Sequence, residues 1–412
     1  MVGHVCKDWH TSNRLIRSNF TTKSGKFDCK PHRFLFLGIF CSSPQHFHRH
    51  TQFRLLTFRL EERSESVIDN LVGDCMGLTE NSRLLADEPE KMLEGLRVMQ
   101  WNVLADGLAQ SGDFDRVEKK FLEWNHRAPL LLGRILKDDP HVICLQELNH
   151  FDDFFLPELK RHGYVGEYWQ KPCSAAQKFE SPADGCAIFY KSSRLQLLKS
   201  DTIQYEDPKG KKLNQGGLTC RFRDIDADQD FVLVNTHLKA KRGHYNEKLR
   251  VLETRQIIQR LEDVAQGSLV ASILCGDLNA DPFSNTYSIL HENFASVYSL
   301  ICVCDPPHRV NELEVMELCD FVENGGAQAE PMYTTWKIRG KEGEVKRTID
   351  YIWYNVQNNL VPCRRWPLPS ETAIGADALP SAVFPSDHLP LMCEFKWKDC
   401  IGKESVKVPL VL

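Results

Sequence analysis

The chain has 412 residues, of which 42% are hydrophobic and 10% aromatic, enough apolar material for one large core or two ordinary ones. The formal net charge of −5 is unevenly distributed: residues 1–60 carry ten Lys and Arg against two acidic residues, which leaves −13 for the remainder. Proteins that track a long polyanion usually have a dominant basic face, so this acidic remainder weakens the interpretation as a general nucleic-acid binder.

The cysteines and the apolar runs restrict the class of protein further. The chain has fifteen cysteines, an odd number, and no two of them form a CxxC motif. Several lie inside strand-like runs such as VICLQE and GCAIFY. This usage predicts buried free thiols in a reducing compartment. The longest apolar stretch, FLFLGIF, is far shorter than the roughly 20 residues that a helix needs to cross a bilayer, so we expect no membrane span.

The first 94 residues differ in composition from the rest. Residues 1–60 are rich in Lys, Arg, His, Ser and Thr, which is typical either of a mitochondrial transit segment or of a disordered basic tail. Residues 61–94 are charged, with a short helix predicted near Asn81–Leu93, and indicate a linker. We expect a cytoplasmic protein, with mitochondria as the alternative if residues 1–60 direct import.

From residue 95 to residue 400, short apolar runs alternate with amphipathic segments, which predicts one domain followed by a short tail at 401–412. The predicted strands are RVMQWNV, VICLQEL, GCAIFY, DFVLVNTHL, LVASILCGDLN, TIDYIWY and LPLMCEF. Helical periodicity predicts helices over Asn246–Ala265, Phe121–Lys137 and Phe151–Arg161. Such alternation predicts an α/β protein in which two sheets pack together with helices outside.

Six of the predicted strands end in polar residues for which an interior strand has no structural use. These residues are Asn102, Glu147, His237, Asp277 with Asn279, Asp350, and Asp387 with His388. Each alone has an ordinary explanation, such as a turn or a hydrogen-bonded core histidine. Because reactive groups converge at strand ends in open α/β sheets, the coincidence of six such ends predicts an active site.

The residue types at these ends suit metal-assisted attack on a phosphate ester. Mg²⁺ prefers carboxylate oxygen and keeps several waters, and Glu147 after the run VICLQ fits that need. Attack also requires a positioned water, donors for the phosphate oxygens and stabilisation of the leaving oxygen. Side chains suited to these tasks are Asp277, Asn279, His237 and His388. Asp350 is the natural candidate to fix the tautomer of His388.

Four basic residues lie close in sequence to these motifs, namely Lys171, Lys239, Lys241 and Arg339. For each of the four taken separately, a solvated surface group is about as expected as a binding residue. Lys239 fits that explanation least, since it lies two residues beyond His237. Against an acidic domain, the four predict a small cationic pocket.

Taken in order, the motifs WNV, LQE, NTH, GDLN, DYIWY and SDHLP resemble those of the endonuclease/exonuclease/phosphatase family, over about residues 95–398. The resemblance implies a four-layer α/β/β/α sandwich of two mixed β-sheets. It implies Mg²⁺ on Glu147 with Asp387 supporting its water shell, and Asp277 as the water-activating carboxylate. The remaining implied roles are phosphate or metal-shell donors at Asn102, Asn279 and His237, and an Asp350–His388 pair at the phosphate.

The loops QKPCS, NTHLKAK and YTTWKIRG resemble those of a branch of that family that removes the 2′-phosphate of NADP⁺ and NADPH. The resemblance implies that the phosphates of the dinucleotide contact Lys171, Lys239, Lys241 and Arg339. The resemblance also implies further contacts to the substrate, from Glu147, His237, Asp277, Asn279 and His388. One departure is Lys241, where many members of the branch have arginine, because lysine keeps the charge but loses the bidentate fork.

Two alternatives remain open, a related enzyme and a protein of another functional class. A poly(A)-specific 3′-exonuclease would need an open path for RNA and surfaces on which adenines stack. A non-catalytic binding module would keep the fold without the chemistry, and loss of Glu147, Asp277 or His388 would indicate it. All three residues are present. The acidic domain and the clustered loop cations favour the dinucleotide phosphatase.

Overall fold

The computed structural model of the protein describes residues 94–110, 114–265, 270–303, 309–310, 315–318, 322–340 and 342–398. The predictions for residues 1–60, for the linker helix near Asn81–Leu93 and for the tail at 401–412 lie outside these residues. Among the helices that the structure describes, none combines the length and the apolar character needed to cross a membrane.

Strands contribute more residues to the described domain than helices do. In chain order they are β1 Leu96–Asn102, β2 Val142–Leu148, β3 Tyr164–Gln170, β4 Gly185–Lys191, β5 Leu195–Glu206, β6 Lys212–Asp224, β7 Gln229–His237, β8 Ala271–Asp277, β9 Phe294–Ser296, β10 Leu300–Cys302, β11 Arg309–Val310, β12 Val315–Glu317, β13 Val322–Asn324, β14 Thr335–Arg339, β15 Gly343–Arg347, β16 Asp350–Asn355, β17 Leu360–Arg365 and β18 Leu391–Trp397.

The helices lie between these strands along the chain. They are α1 Asp106–Ala109, α2 Lys119–Leu122, α3 Trp124–Asp138, α4 Leu156–Lys160, α5 His244–Ala265, α6 Asn285–His291 and α7 Glu371–Ile374. A π-helical turn over Phe151–Phe155 leads into α4. The predicted helix over Phe151–Arg161 is therefore present with a widened first turn.

The strands form two mixed sheets and two short ribbons. The first sheet has eight strands in the order β11-β12-β17-β18-β1-β2-β4-β3, and the second has six in the order β5-β6-β7-β8-β16-β9. Each sheet contains one parallel pair, β1 with β2 and β7 with β8, among antiparallel neighbours. The ribbons are β10 with β13 and β14 with β15. This architecture confirms the predicted α/β sandwich of two packed mixed sheets.

The three largest apolar clusters form three layers, as four stacked layers of structure require. Between the sheets, side chains such as Val98 and Ile188 pack against Phe222 and Ile273. A second layer joins the outer face of the six-stranded sheet to α5 and α6, and a third joins the outer face of the other sheet to α3 and α4. Strands β2 and β8 are buried on both faces, which explains their nearly continuous apolar sequences.

One predicted helix and several strands differ from the sequence-based expectation, since β3, β5, β6, β9 to β15 and β17 were not among the predicted strands. The single helix predicted over Phe121–Lys137 is wrong in its first turn, because Glu123 adopts an extended conformation and separates α2 from α3. The longest of these unpredicted strands are the antiparallel pair β5 and β6. In β5, which lies at the sheet edge, most residues are either partly buried or exposed, so its sequence is too polar to resemble the core strands.

Candidate active site

Strand ends from both sheets meet at one edge of the sandwich. In the first sheet, β1 and β2 run parallel with Asn102 opposite Gln146, one residue before Glu147. In the second sheet, Asp277 lies opposite both His237 of β7 and Asp350, the first residue of β16. Because parallel strands end at the same edge, this topology brings the predicted polar residues together.

Asp277 lies at the centre of this group and is buried. Its Oδ2 accepts a hydrogen bond from Nδ2 of Asn102 at 3.0 Å, which joins the two sheets, and its Oδ1 accepts from the backbone N–H of Asn279 at 2.9 Å. Burial alone would raise the pKa of Asp277, but the nearby His237 and His388 and these hydrogen bonds lower it below its usual value. Asp277 is therefore a carboxylate at neutral pH.

The glycine of the GDLN motif allows the backbone before Asp277 to approach β7. A β-carbon on Gly276 would lie 2.3 Å from the carbonyl oxygen of Thr236, which is closer than van der Waals contact permits. The Gly276 position is thus restricted by the close approach of the two parallel strands, and not by the chemistry of the site.

His237 is oriented by the side-chain amide of Asn279. Nδ2 of Asn279 lies 3.0 Å from Nε2 of His237 and donates to the carbonyl of Leu238 at 3.3 Å. Nε2 of His237 also lies 3.5 Å from Oδ2 of Asp277. Asn279 has a left-handed φ of 50°, a conformation that asparagine tolerates better than most residues.

Glu147 lies at the end of β2, where the pairing with β4 changes register. Its φ of 53° is left-handed, which costs energy for a residue with a β-carbon and is most common at functional sites. Oε2 of Glu147 accepts from the backbone N–H of Ala105 at 3.3 Å, and the side chain is partly exposed. One ligand atom each of Glu147, His237 and Asp277 lie within 4.8 Å of one another.

Asp350 and His388 form a buried pair beside Asp277. Nδ1 of His388 lies 2.8 Å from Oδ2 of Asp350, which also accepts from the hydroxyl of Thr334 at 2.6 Å. Burial alone would lower the pKa of His388, but Asp350 and Asp387 raise it to about 9. The imidazole is therefore a cation at neutral pH.

The free ring nitrogen of His388 faces two further carboxylates. Nε2 lies 3.9 Å from Oδ2 of Asp277 and 3.9 Å from Oδ1 of Asp387, too far for a direct hydrogen bond to either. His388 thus presents a charged N–H donor to the centre of the cluster while Asp350 fixes the orientation of its ring.

Asp387 is paired with two cations of the β14–β15 ribbon. Its Oδ2 lies 2.6 Å from Nζ of Lys337 and 3.6 Å from the guanidinium of Arg339. Burial alone would raise the pKa of Asp387, but Lys337, His388 and Arg339 lower it well below its usual range. The guanidinium of Arg339 also lies 5.0 Å from the ring centre of Phe114.

Lys171 lies near Glu147, and the Lys239–Lys241 segment follows His237 at the end of β7. Nζ of Lys171 lies 3.4 Å from Oδ2 of Asp184; burial alone would lower the pKa of Lys171, but the charges of Asp184 and Glu147 raise it. Lys239 follows His237 by two residues, and Lys241 is exposed with a left-handed φ of 75°. The structure thus places Lys171 and Arg339 in ion pairs, and Lys239 and Lys241 on the loop after β7.

Sequence reasoning did not select Lys337, although it alternates with Arg339 on β14. Residues two apart in a strand share a face, so this alternation was a usable signal. It also missed Arg127 of α3, whose buried guanidinium donates to the carbonyls of Val103 at 3.1 Å, Leu104 at 2.6 Å and Pro385 at 2.8 Å. Burial lowers the pKa of Arg127 to about 10, against the raising effect of nearby acids. No sequence signal distinguishes such an arginine from a surface one.

Similarity to known proteins extends over most of the described domain. Residues 99–388 match the endonuclease/exonuclease/phosphatase family. Nocturnin of Rattus norvegicus is 35% identical over 307 residues, covering 74% of this chain and 66% of that protein, so the chain spans just under two-thirds of this relative. Nocturnin of Xenopus laevis is 36% identical over 306 residues, covering 74% and 73%. The structure of the human nocturnin catalytic domain with bound sulfate anion has a TM-score of 0.57 at 30% identity, covering 74% of this chain and 94% of that one.

Proposed function

This chain belongs to the endonuclease/exonuclease/phosphatase family, and on that premise we propose that it is a magnesium-dependent phosphatase of NADP⁺ and NADPH. It removes the 2′-phosphate and releases NAD⁺ or NADH with inorganic phosphate. The observation that carries this proposal is the buried cluster at the strand ends, in which anionic Asp277 and cationic His388 face each other with Glu147 at the rim. Such a cluster combines a group that accepts a proton with a group that donates to phosphate.

The donors present suit a hard divalent cation. Glu147 and Asp277 offer carboxylate oxygens and Asn102 offers an amide, and Mg²⁺ prefers oxygen ligands while it keeps several waters. The second group of ligand atoms, around Asp350 and His388, is less suitable because Nδ1 of His388 is already bonded to Asp350. When bound, the ion would neutralise charge on the phosphoryl oxygens.

The residues of the cluster then divide the hydrolysis among them. Asp277, held by Asn102 and by the Asn279 backbone, accepts a proton from the attacking water. The water oxygen forms a bond to phosphorus, and the bond between phosphorus and the ribose 2′ oxygen breaks. His388 donates a hydrogen bond from Nε2 to a phosphoryl oxygen and keeps its proton. The 2′ oxygen takes a proton from solvent water and Asp277 returns its proton to solvent, so that water and the ester give an alcohol and phosphate.

The choice of substrate rests on the cations at the rim. A dinucleotide carries a diphosphate besides the 2′-phosphate, so it needs positive groups beyond those at the reacting centre. Lys171, Arg339 and the loop with Lys239 and Lys241 supply them. The relatives most similar to this chain include nocturnins, and human nocturnin binds sulfate, an anion that resembles phosphate in shape.

The test compares the two candidate activities in the full-length protein with Mg²⁺. NADPH and adenylate oligomers are supplied in parallel, with phosphate release and oligomer length as measurements. We expect phosphate release from NADPH and little shortening of the oligomers. Glu147→Gln should lose the phosphate release, whereas the exposed control Glu262→Gln should keep it. Shortening of oligomers without phosphate from NADPH would reject the proposal in favour of a poly(A) 3′-exonuclease.

A further inference from the structure

The loop after β7 is held by side chains of α5 through its backbone. The backbone N–H of Lys239 donates to Oε2 of Glu253 at 2.8 Å. Nη1 of Arg250 donates to the carbonyls of Lys239 and Lys241, both at 2.9 Å. Two side chains of one helix therefore bind three backbone groups within three residues of the loop.

This loop is also fixed to the catalytic cluster at its first residue. The backbone N–H of Leu238 donates to the carbonyl of Asp277 at 3.0 Å, and its carbonyl accepts from Asn279. Beyond Leu238, the left-handed φ of 75° at Lys241 is unfavourable for a residue with a side chain. The two hydrogen bonds from Arg250 stabilise the segment that contains this residue.

Arg250 is itself fixed by Glu247, one turn earlier in α5. Oε2 of Glu247 accepts from Nε of Arg250 at 2.9 Å and lies 2.8 Å from its Nη2. The other oxygen of Glu247 accepts from the backbone N–H of Thr286 at 2.9 Å and from its hydroxyl at 3.0 Å. The planar guanidinium is thus held on one side by a carboxylate while its remaining edge binds the loop, a geometry that lysine cannot reproduce.

We propose that Arg250 is a positioning residue that determines substrate selectivity by fixing the loop with Lys239 and Lys241 at the rim of the active site. The proposal rests on the proposed function, because it takes these lysines to bind the part of the substrate beyond the reacting phosphate. Arg250 contacts the loop backbone and Glu247, and it acts on the substrate only through the loop.

A purely structural role makes a different prediction from a positioning role. If Arg250 only stabilised the fold, its replacement would lower activity on all substrates in proportion. If it positions the loop, its replacement raises KM for a dinucleotide and leaves a small monoester almost unaffected, since the small substrate reaches only the strand-end cluster.

The experiment uses the full-length protein with Arg250→Lys, which keeps the charge, and Arg255→Lys, an exposed arginine on the same helix, as the matched control. Substrates are NADPH and p-nitrophenyl phosphate. Loss of two hydrogen bonds from a charged donor is expected to raise KM for NADPH at least about tenfold, with kcat/KM for p-nitrophenyl phosphate within about twofold. Equal losses on both substrates in Arg250→Lys would overturn the proposal.

Limited proteolysis provides a readout independent of catalysis. Trypsin cleaves after Lys239, Lys241 and Arg242, and we expect faster cleavage there in Arg250→Lys than in either the native protein or Arg255→Lys. An unchanged cleavage rate would overturn the proposal. If Arg250→Lys does not fold, Glu247→Gln tests the same contact, since it releases the guanidinium without removing it, and the same two outcomes apply.

Failure of the proposed function is distinguishable from failure of this inference. If NADPH is not hydrolysed by the native protein, the proposed function is wrong, and the comparison is repeated with an adenylate oligomer in its place. A selective rise in KM for the oligomer together with faster cleavage of the loop would still support Arg250 as the positioning residue. Unchanged proteolysis would reject it whichever substrate is used.

Discussion

The pair of Asp350 and His388 allows a quantitative test of the site. The pKa of His388 is raised to about 9, whereas an ordinary histidine has a pKa of about 6.5. Asp350 is the nearest charge responsible, at 2.8 Å from Nδ1. We therefore expect Asp350→Asn to return the pKa of His388 to about 6.5 or below, because burial of the ring then acts with less opposition.

The expected effect on activity follows from the protonated fraction of His388. At pH 8 that fraction is about 0.9 with a pKa of about 9, and about 0.03 with a pKa of about 6.5. If the imidazolium donates to phosphate, kcat/KM at pH 8 should fall by about 30-fold in Asp350→Asn from this cause alone. Loss of ring orientation adds to the fall, so 30-fold is a lower bound.

The assay is kcat/KM against pH from 6 to 10, with saturating Mg²⁺ and a phosphate monoester, for the native protein and Asp350→Asn. The native protein should lose activity as pH rises through about 9, and the variant should lose it near or below about 6.5. The exposed Asp228→Asn serves as the control and should match the native profile. A falling limb that stays near 9 in Asp350→Asn would refute the proposed role of the pair.

Three further predictions concern the metal, the substrate and stability. Glu147→Gln should raise the Mg²⁺ concentration for half-maximal activity and lower kcat by at least about 100-fold, measured by metal titration; unchanged Mg²⁺ dependence would contradict this role. Lys171→Met should raise KM for NADPH about tenfold but not KM for p-nitrophenyl phosphate; equal changes would assign Lys171 to the core. Burial raises the pKa of Glu253 to about 7, against the opposing effects of Lys239 and Arg250. Between about pH 4.5 and 7 the folded protein therefore binds a proton that the unfolded protein has lost, and the free energy of unfolding falls as pH rises through that window. The free energy of unfolding, measured with urea at pH 5 and 8, should fall by up to about 3 kcal/mol less in Glu253→Gln than in the native protein. An equal fall in both proteins would contradict this role of Glu253.

The positions of the core strands could be predicted because their sequences are unusual. The runs in β2 and β8 are apolar on both faces and stop abruptly at Glu147 and Asp277. A polar residue directly after such a run marks a strand end, and the topology of the sheets then brings these ends to one edge. The structure places the predicted residues there, and their chemical roles remain predictions.

The supporting contacts could not be predicted, since they join residues far apart in sequence. Lys337 and Asp387 are separated by 50 positions, and Arg127 and Pro385 by 258. Neither a periodicity nor a short motif contains such a pair. The break at Glu123 was missed for a different reason, because helix propensity and amphipathic spacing continue through it while the backbone turns.

A chain of buried amides inside the strands explains how the two halves of the site are aligned. Nε2 of Gln100 donates to Gln146 at 3.0 Å and to Oδ1 of Asp350 at 3.2 Å, and Gln146 donates to Asn235 at 2.7 Å. Asn235 in turn donates to the carbonyls of Leu145 and Ala187 in the opposite sheet, at 2.9 and 2.7 Å.

These amides lie in β1, β2 and β7, so their hydrogen bonds pass from one sheet to the other within the core. A buried amide without its partner costs about 1–3 kcal/mol, so sliding one sheet over the other by a residue would be penalised at each of the three positions. The catalytic groups come from both sheets, with Glu147 on one and Asp277 on the other, and their separation depends on that alignment. The polar residues at the strand ends therefore identify the site in the sequence, while the polar residues within the strands hold its two halves in register.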